Sequence, residues 1–160
     1  MSQNSKIFNP QAKIALHYDK VLKHLNGKKT DPITLEVDPS NACNHSCPFC
    51  ISGHIHLSKF KGTKFFDRRM MDEATLMSLC KDVVNMKMES LTWTGGGEPT
   101  MNPYLKNAIN FINKNSKIKM GMFSNGSMFS KFDLFDVIVE SLSWIRISID
   151  AGTASSYDKL

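Results

Sequence analysis

Three cysteines lie close together in the stretch CNHSCPFC, which occupies residues 43–50. Cys43, Cys47 and Cys50 have three and then two residues between successive thiols. In a chain that is expected to be cytoplasmic, thiols at this spacing indicate a metal or cluster site rather than disulfides. A closed zinc site or a fully ligated [4Fe–4S] cluster takes four protein ligands. Three thiolates therefore predict a site with one metal position left open for chemistry.

The second candidate motif is a run of glycines followed by an acid, in the stretch WTGGGEP at residues 93–99. Glycines at the end of a strand let the backbone approach a ligand closely, with its N–H groups exposed. This run is not a nucleotide-binding P-loop, because no Gly-Lys-Ser/Thr follows it. An anionic side chain at Glu98 would suit a bound ammonium group, since such hydrogen bonds are charge-assisted.

Together the two motifs resemble the signature of the radical S-adenosylmethionine (radical SAM) superfamily. That signature is C-x3-C-x2-C with an aromatic residue before the last cysteine, followed downstream by GGE. The resemblance implies that the three cysteines each ligate one iron of a [4Fe–4S] cluster. The fourth iron is then left for the amino and carboxylate groups of S-adenosylmethionine. It also implies that Phe49 borders the adenine, and that Gly96, Gly97 and Glu98 hold the methionyl amino group.

Three further residues fit the family's polar positions at the ends of later strands. Asn125 lies in a Ser-Asn-Gly turn after the third predicted strand, and Ser148 and Asp150 end the fourth. The resemblance places the last two near the ribose and carboxylate of the cofactor. Arg146 lies on the same predicted face and can meet either that carboxylate or Glu36. No catalytic residue is predicted beyond the cluster and cofactor site.

The function that the resemblance implies is reductive cleavage of S-adenosylmethionine to a 5′-deoxyadenosyl radical, which abstracts a hydrogen atom from a substrate. A one-electron donor such as flavodoxin or ferredoxin would reduce the cluster. The substrate class is open between a peptide and a small molecule.

Two alternatives from other classes stay open at this point. A zinc ion held by the three cysteines, with His54 or His56 as fourth ligand, would make a closed structural site. A non-catalytic iron–sulfur protein would serve electron transfer or cluster assembly. The fourth cysteine, Cys80, falls at helical spacing among apolar residues and is predicted to be a buried small hydrophobe.

Strands and helices alternate four times along the chain, which predicts an α/β fold with parallel strands. Apolar alternation marks the strands at residues 33–38, 91–94, 117–123 and 144–150, with helices at 72–87, from 102 and from 134. Asp72 lies at the predicted start of the first of these helices, Asn102 is predicted to be the N-cap of the second, and Thr153 is predicted to cap a further helix after the fourth strand. Polar residues on one side of three strands favour a partial, open β/α barrel with helices on its outer face. Each unusual segment follows the carboxyl end of a strand, the edge where β/α barrels build active sites.

The predicted domains are an N-terminal helix and linker at residues 1–32 and a radical SAM core at 33–160. Asn9 and Pro10 are predicted to open that helix, which Gly27 ends. Because family members carry a longer partial barrel, the chain is expected to be a fragment truncated after the fourth strand.

Composition limits the remaining function classes. The chain has 160 residues, 41% of them hydrophobic, and a formal net charge of +5. No dense basic block with interleaved aromatics predicts nucleic-acid binding, and no apolar run approaches the ~18 residues of a membrane span. The sequence therefore predicts a cytoplasmic protein that binds neither nucleic acid nor membrane.

Overall fold

A computed structural model of the protein describes residues 15–54, 67, 69–86 and 88–158. The chain divides into two compact units, Met1–Ile33 and Thr34–Leu160. The first unit contains helix α1 (Tyr18–Leu25), none of whose residues is buried. Gly27 follows it with a φ of +71°, a conformation that glycine adopts without strain, as expected for a helix stop. The predicted start of this helix at Asn9 lies outside the described residues.

The second unit is built from alternating strands and helices. Its strands are β1 (Thr34–Val37), β2 (Ser90–Trp93), β3 (Lys119–Ser124) and β4 (Leu142–Ile147). Its helices are α2 (Ile51–His54), α3 (Glu73–Asn85), α4 (Leu105–Asn115), α5 (Phe135–Ser141) and α6 (Ala154–Tyr157), and a short 3-10 helix covers Pro99–Met101. The strands form one sheet in the order β1-β2-β3-β4, and every neighbouring pair is parallel. This arrangement confirms the predicted partial β/α barrel.

One face of the sheet packs against the helices and forms the core. Leu91 of β2 is aligned with Met120 of β3, and Trp93 with Met122, so these four buried side chains share a face. Helices α3, α4 and α5 bury their apolar stripes against that face. Their buried residues are Leu76, Cys80, Val83, Leu105, Ala108, Ile109, Ile112, Val137 and Ile138. The burial of Cys80 confirms the interpretation made from its helical spacing.

The opposite face of the sheet is more open and carries an aromatic contact across β3 and β4. A Cβ on Gly121 would lie 2.0 Å from the indole of Trp144, so the ring rests directly on the β3 backbone. Phe123 makes an edge-to-face contact with the same indole, with ring centroids 5.2 Å apart. The guanidinium of Arg146 lies 5.5 Å from the centre of the Phe123 ring, which places it over an aromatic face.

Several helix ends agree with the sequence and one does not. Asp72 caps α3 by accepting a 2.7 Å hydrogen bond from the Thr75 amide, and Thr153 caps α6 with a reciprocal capping box. Asn102, predicted to cap α4 directly, lies three residues before the first helical residue, Leu105. Its buried side chain instead joins three backbone groups, the carbonyls of residues 39 and 71 and the amide of residue 104. The helix starts later because this bridge holds the chain in a turn.

One further boundary differs from the sequence-based prediction. Strand β4 ends at Ile147, and residues 148–150 continue as a loop above it rather than as strand. The connection after the cysteines begins with the short helix α2, while the His54 side chain and His56 lie outside the described residues. Among the helices that the structure describes, none is long and apolar enough to cross a bilayer.

Candidate functional site

The carboxyl ends of the four strands meet at one rim of the sheet, where they line an open cavity of about 170 Å³. Segments that follow all four strands contribute to it, which is the expected place for a site in a parallel α/β sheet. The lining residues are Cys43, His45, Cys47, Thr94, Gly95, Gly97, Glu98, Phe123, Ser124, Asn125, Ser148 and Asp150.

Most residues predicted from the sequence line this cavity, and three do not. Cys50, Phe49 and Gly96 are absent from its lining. Phe49 is 58% exposed on the cysteine loop, and Cys50 is half-buried one turn beyond Cys47. The Cys50 amide donates a 3.0 Å hydrogen bond to the Cys47 carbonyl, which forms that turn.

The glycine turn packs against the chain that leads into the cysteine loop. The amides of Gly97 and Glu98 donate to the carbonyls of Ser40 and Ala42, at 3.1 and 2.8 Å. Gly96 donates its amide to a carboxylate oxygen of Asp38 at 3.2 Å. The sequence predicts backbone amides that face a ligand, whereas these three amides donate hydrogen bonds to oxygen atoms of the protein itself.

Gly97 is the residue that makes this contact sterically possible. A Cβ at that position would lie 2.2 Å from the Ala42 carbonyl oxygen and 2.5 Å from the carbonyl carbon of Asn41. A Cβ on Gly96 would meet only the Ser52 side chain, at 3.6 Å. Packing therefore requires a glycine at position 97, whereas position 96 has room for a methyl group.

Glu98 is a buried carboxylate, 3% exposed, that accepts four hydrogen bonds. Its Oε1 accepts from the amide and hydroxyl of Thr100 and from the Ser124 hydroxyl, at 3.1, 2.6 and 2.7 Å. Its Oε2 accepts from the Asn125 amide at 2.8 Å. Since a carboxylate oxygen accepts two hydrogen bonds or more, Oε2 has capacity left for a further donor. Glu98 thus joins the glycine turn to the end of β3 and contributes negative charge to the cavity.

The cysteine loop is also tied to the turn after β3. The side-chain amide of Asn125 donates to the side-chain oxygen of Asn44 at 3.0 Å and lies 3.9 Å from the Cys43 sulfur. Asn44 in turn donates to the Ser127 hydroxyl at 2.7 Å. Neither Asn44 nor Ser127 was identified from the sequence, since each looks like an ordinary polar loop residue.

Asp150 meets the cysteine loop from the β4 side. The thiol of Cys47 lies 3.4 Å from a carboxylate oxygen of Asp150. Burial raises the pKa of the Cys47 thiol, and the hydrogen bond to Asp150 and its charge raise that pKa further. A second cavity of about 230 Å³ adjoins this pair and is lined by His45, Ser46, Cys47, Asp150 and Tyr157. Ser148 is fixed at the same rim by its amide, which donates to the Ser124 carbonyl at 2.9 Å.

The three cysteines are not gathered around one point in this structure. Within the described ranges, no group of three His, Cys, Asp or Glu side chains has the arrangement of a metal site. Cys43 and Cys47 line the same cavity, and Cys50 lies outside its lining.

The fold and the rim site define a radical SAM type of partial β/α barrel. The sequence model of the radical SAM superfamily matches residues 37–160, and the chain belongs to that superfamily.

Two solved structures of BtrN resemble this chain in fold. The one in complex with AdoMet and 2-DOIA has a TM-score of 0.59 at 18% identity, covering 83% of this chain and 52% of BtrN. The one in an open conformation has a TM-score of 0.56 at 15% identity, covering 81% of this chain and 54% of BtrN.

Two curated relatives match at the level of sequence. A UPF0026 protein of Helicobacter pylori is 27% identical over 148 residues, which is 89% of this chain and 45% of that protein. A protein of Brachyspira hyodysenteriae named GTPase Obg is 26% identical over 125 residues, which is 77% of this chain and 18% of that protein. The chain thus spans less than half the length of either curated relative.

Proposed function

We propose that residues 33–160 form the core domain of a radical SAM enzyme, preceded by a helix and linker at residues 1–32. In this proposal Cys43, Cys47 and Cys50 ligate a [4Fe–4S] cluster, and S-adenosylmethionine binds along the rim beside it. One observation carries the proposal: two of the three cysteines share a cavity with Glu98 of the glycine motif. Membership of the superfamily supports the same assignment.

The residues of this site suit both the [4Fe–4S] cluster and S-adenosylmethionine chemically. Thiolates are the ligands that iron–sulfur clusters take, and three of them leave one iron for another ligand. Glu98 has a carboxylate oxygen with spare accepting capacity at the cavity, which suits the ammonium of the methionyl group. One of the BtrN structures is a complex with AdoMet, which supports the choice of cofactor for a chain of the same fold.

Each remaining residue predicted from the sequence has a role in this proposal. Gly96 and Gly97 hold the turn that presents Glu98, and Asn125 supplies an amide beside it. Ser148 and Asp150 offer hydroxyl and carboxylate groups for the ribose and the carboxylate of the cofactor. Phe49 projects from the cysteine loop as an exposed ring that can stack beside the adenine.

When bound, the cluster and S-adenosylmethionine supply one-electron reductive cleavage and a 5′-deoxyadenosyl radical that takes a hydrogen atom from the substrate. The protein binds and orients these groups and limits the access of water. We further propose a cytoplasmic enzyme that receives electrons from a donor such as flavodoxin or ferredoxin. The substrate is proposed to be a peptide or a small molecule.

Anaerobic reconstitution with iron and sulfide tests this proposal. We expect a brown protein with iron–sulfur charge-transfer absorption and, after reduction, an EPR signal that changes when S-adenosylmethionine is added. Cys→Ser variants at positions 43, 47 and 50 should each lose most of the bound iron. The matched control is Cys80→Ser, because Cys80 is buried in the core and does not line the cavity.

Three results would contradict the proposal. A colourless protein that binds one zinc ion per chain would indicate a structural zinc site. A cluster whose EPR signal ignores S-adenosylmethionine would indicate an electron-transfer or assembly protein. Iron retained by all three single cysteine variants would show that these thiols are not the ligands.

A further inference from the structure

Three side chains join the cysteine loop to the turn after β3 in a closed ring of hydrogen bonds. Asn125 Nδ2 donates to Asn44 Oδ1 at 3.0 Å, and Asn44 Nδ2 donates to Ser127 Oγ at 2.7 Å. The ring closes where Ser127 Oγ donates to Asn125 Oδ1, also at 2.7 Å. Within the ring, each of the three side chains donates one hydrogen bond and accepts one.

The backbone determines the direction in which the ring runs. The amide of Ser127 also donates to Asn125 Oδ1, at 3.0 Å. A backbone N–H cannot accept a hydrogen bond, so the Asn125 oxygen must face Ser127. The side-chain nitrogen of Asn125 therefore faces the cysteine loop, 3.9 Å from the sulfur of Cys43.

We propose that Asn44 and Ser127 are positioning residues that aim the Asn125 amide at the Cys43 sulfur and so make the bound cluster easier to reduce. This inference rests on the proposed function, since it concerns a cluster held by Cys43. Reduction adds negative charge to the cluster and its thiolates. A hydrogen bond to a ligand sulfur stabilises that charge and raises the reduction potential.

The exposure of the ring separates this role from a purely structural one. Asn44 and Ser127 are exposed and Asn125 is half-buried. Water can replace most of the hydrogen bonds lost when an exposed member is truncated, so the free energy of unfolding should change little. A change in cluster potential without a change in stability is therefore specific to the positioning role.

An EPR-monitored redox titration of the anaerobically reconstituted protein tests the inference. Asn125→Ala should make the midpoint potential more negative, and Asn44→Ala should shift it in the same direction. Ser127→Ala should shift it less, because the backbone amide of Ser127 still holds the Asn125 oxygen. Asn113→Ala, an exposed asparagine on α4, is the matched control and should leave the potential unchanged.

The double variant Asn44→Ala/Asn125→Ala gives the sharpest result. Because Asn44 acts through Asn125, the double variant should have the potential of Asn125→Ala alone rather than the sum of two shifts. Wild-type potentials in both single variants, or additive shifts in the double variant, would overturn the inference.

Failure of the proposed function would be recognised separately, because the wild-type chain would then take up no cluster, or a cluster whose EPR signal ignores S-adenosylmethionine. If Asn125→Ala does not retain a cluster, the midpoint potential of Asn44→Ala is compared with that of Asn113→Ala to test the positioning role. An unshifted potential in Asn44→Ala overturns the positioning role, and a more negative one supports it.

Discussion

A single methyl group at Gly97 should separate the glycine turn from the cysteine loop. In Gly97→Ala the new Cβ would lie 2.2 Å from the Ala42 carbonyl oxygen. Because carbon atoms pack at about 3.5 Å, the two backbones must move apart by roughly 1 Å. Overpacking of this kind costs about 1–3 kcal/mol, and weakening the hydrogen bonds from Gly97 and Glu98 adds about 1 kcal/mol each. The expected loss is about 3–5 kcal/mol, which lowers the melting temperature by roughly 10–15 °C.

Thermal unfolding followed by circular dichroism, on the chain without cluster, measures this loss directly. Gly96→Ala is the matched control, because its Cβ would meet only the Ser52 side chain at 3.6 Å. It should stay within about 0.5 kcal/mol of wild type. Equal melting temperatures for the two variants would refute the steric argument. After reconstitution, Gly97→Ala should also hold less iron, since the displaced backbone leads directly into Cys43.

Two other predictions concern buried polar groups outside the rim. Asn102→Ala removes three hydrogen bonds from a side chain that is 1% exposed, so it should cost about 2–4 kcal/mol in urea unfolding. The control Asn113→Ala should lose under about 0.5 kcal/mol of its free energy of unfolding. Equal losses in the two variants would contradict the stabilising role of the Asn102 hydrogen bonds. Burial raises the pKa of the Cys80 thiol to about 11, so iodoacetamide at pH 8 should modify it only after unfolding, as mass spectrometry can show. The Cys80 thiol ionises at a lower pH in the unfolded chain than in the folded chain. The free energy of unfolding should therefore fall as pH rises from 9.0 towards 11, and Cys80→Ala should not show this fall. Modification of Cys80 in the native chain would contradict its burial. The same pH dependence of stability in Cys80→Ala as in the wild type would contradict it too.

Much of the architecture was predictable because it depends on local patterns. The alternation of strands and helices, the caps at Asp72 and Thr153 and the burial of Cys80 all follow from residue type and spacing. The placement of both motifs after strand ends followed from chain order alone, since parallel strands bring their carboxyl ends to one edge.

Predictions failed where a distant partner outweighs the local signal. Asn102 has the sequence of a helix cap, yet it bridges two backbone carbonyls from other parts of the chain. The fourth strand alternates through residue 150, but the chain leaves the sheet after Ile147, and Asp150 turns towards Cys47. The contact of the Arg146 guanidinium with the Phe123 ring was not predicted, because it joins two neighbouring strands.

The sequence alone determined the types and spacing of the groups that can do chemistry: three thiols, a glycine turn and an acid in a fixed order. Only the tertiary structure decided how those groups are held. Glu98 is surrounded by four donors, and Asn125 reaches a residue 81 positions away. The contacts of Glu98 with Ser124 and Asn125, and that of Asn125 with Asn44, lie in no single segment, because each depends on two strand ends meeting at the same rim. Spacing along the chain therefore predicts the chemistry, and the meeting of strand ends determines its geometry.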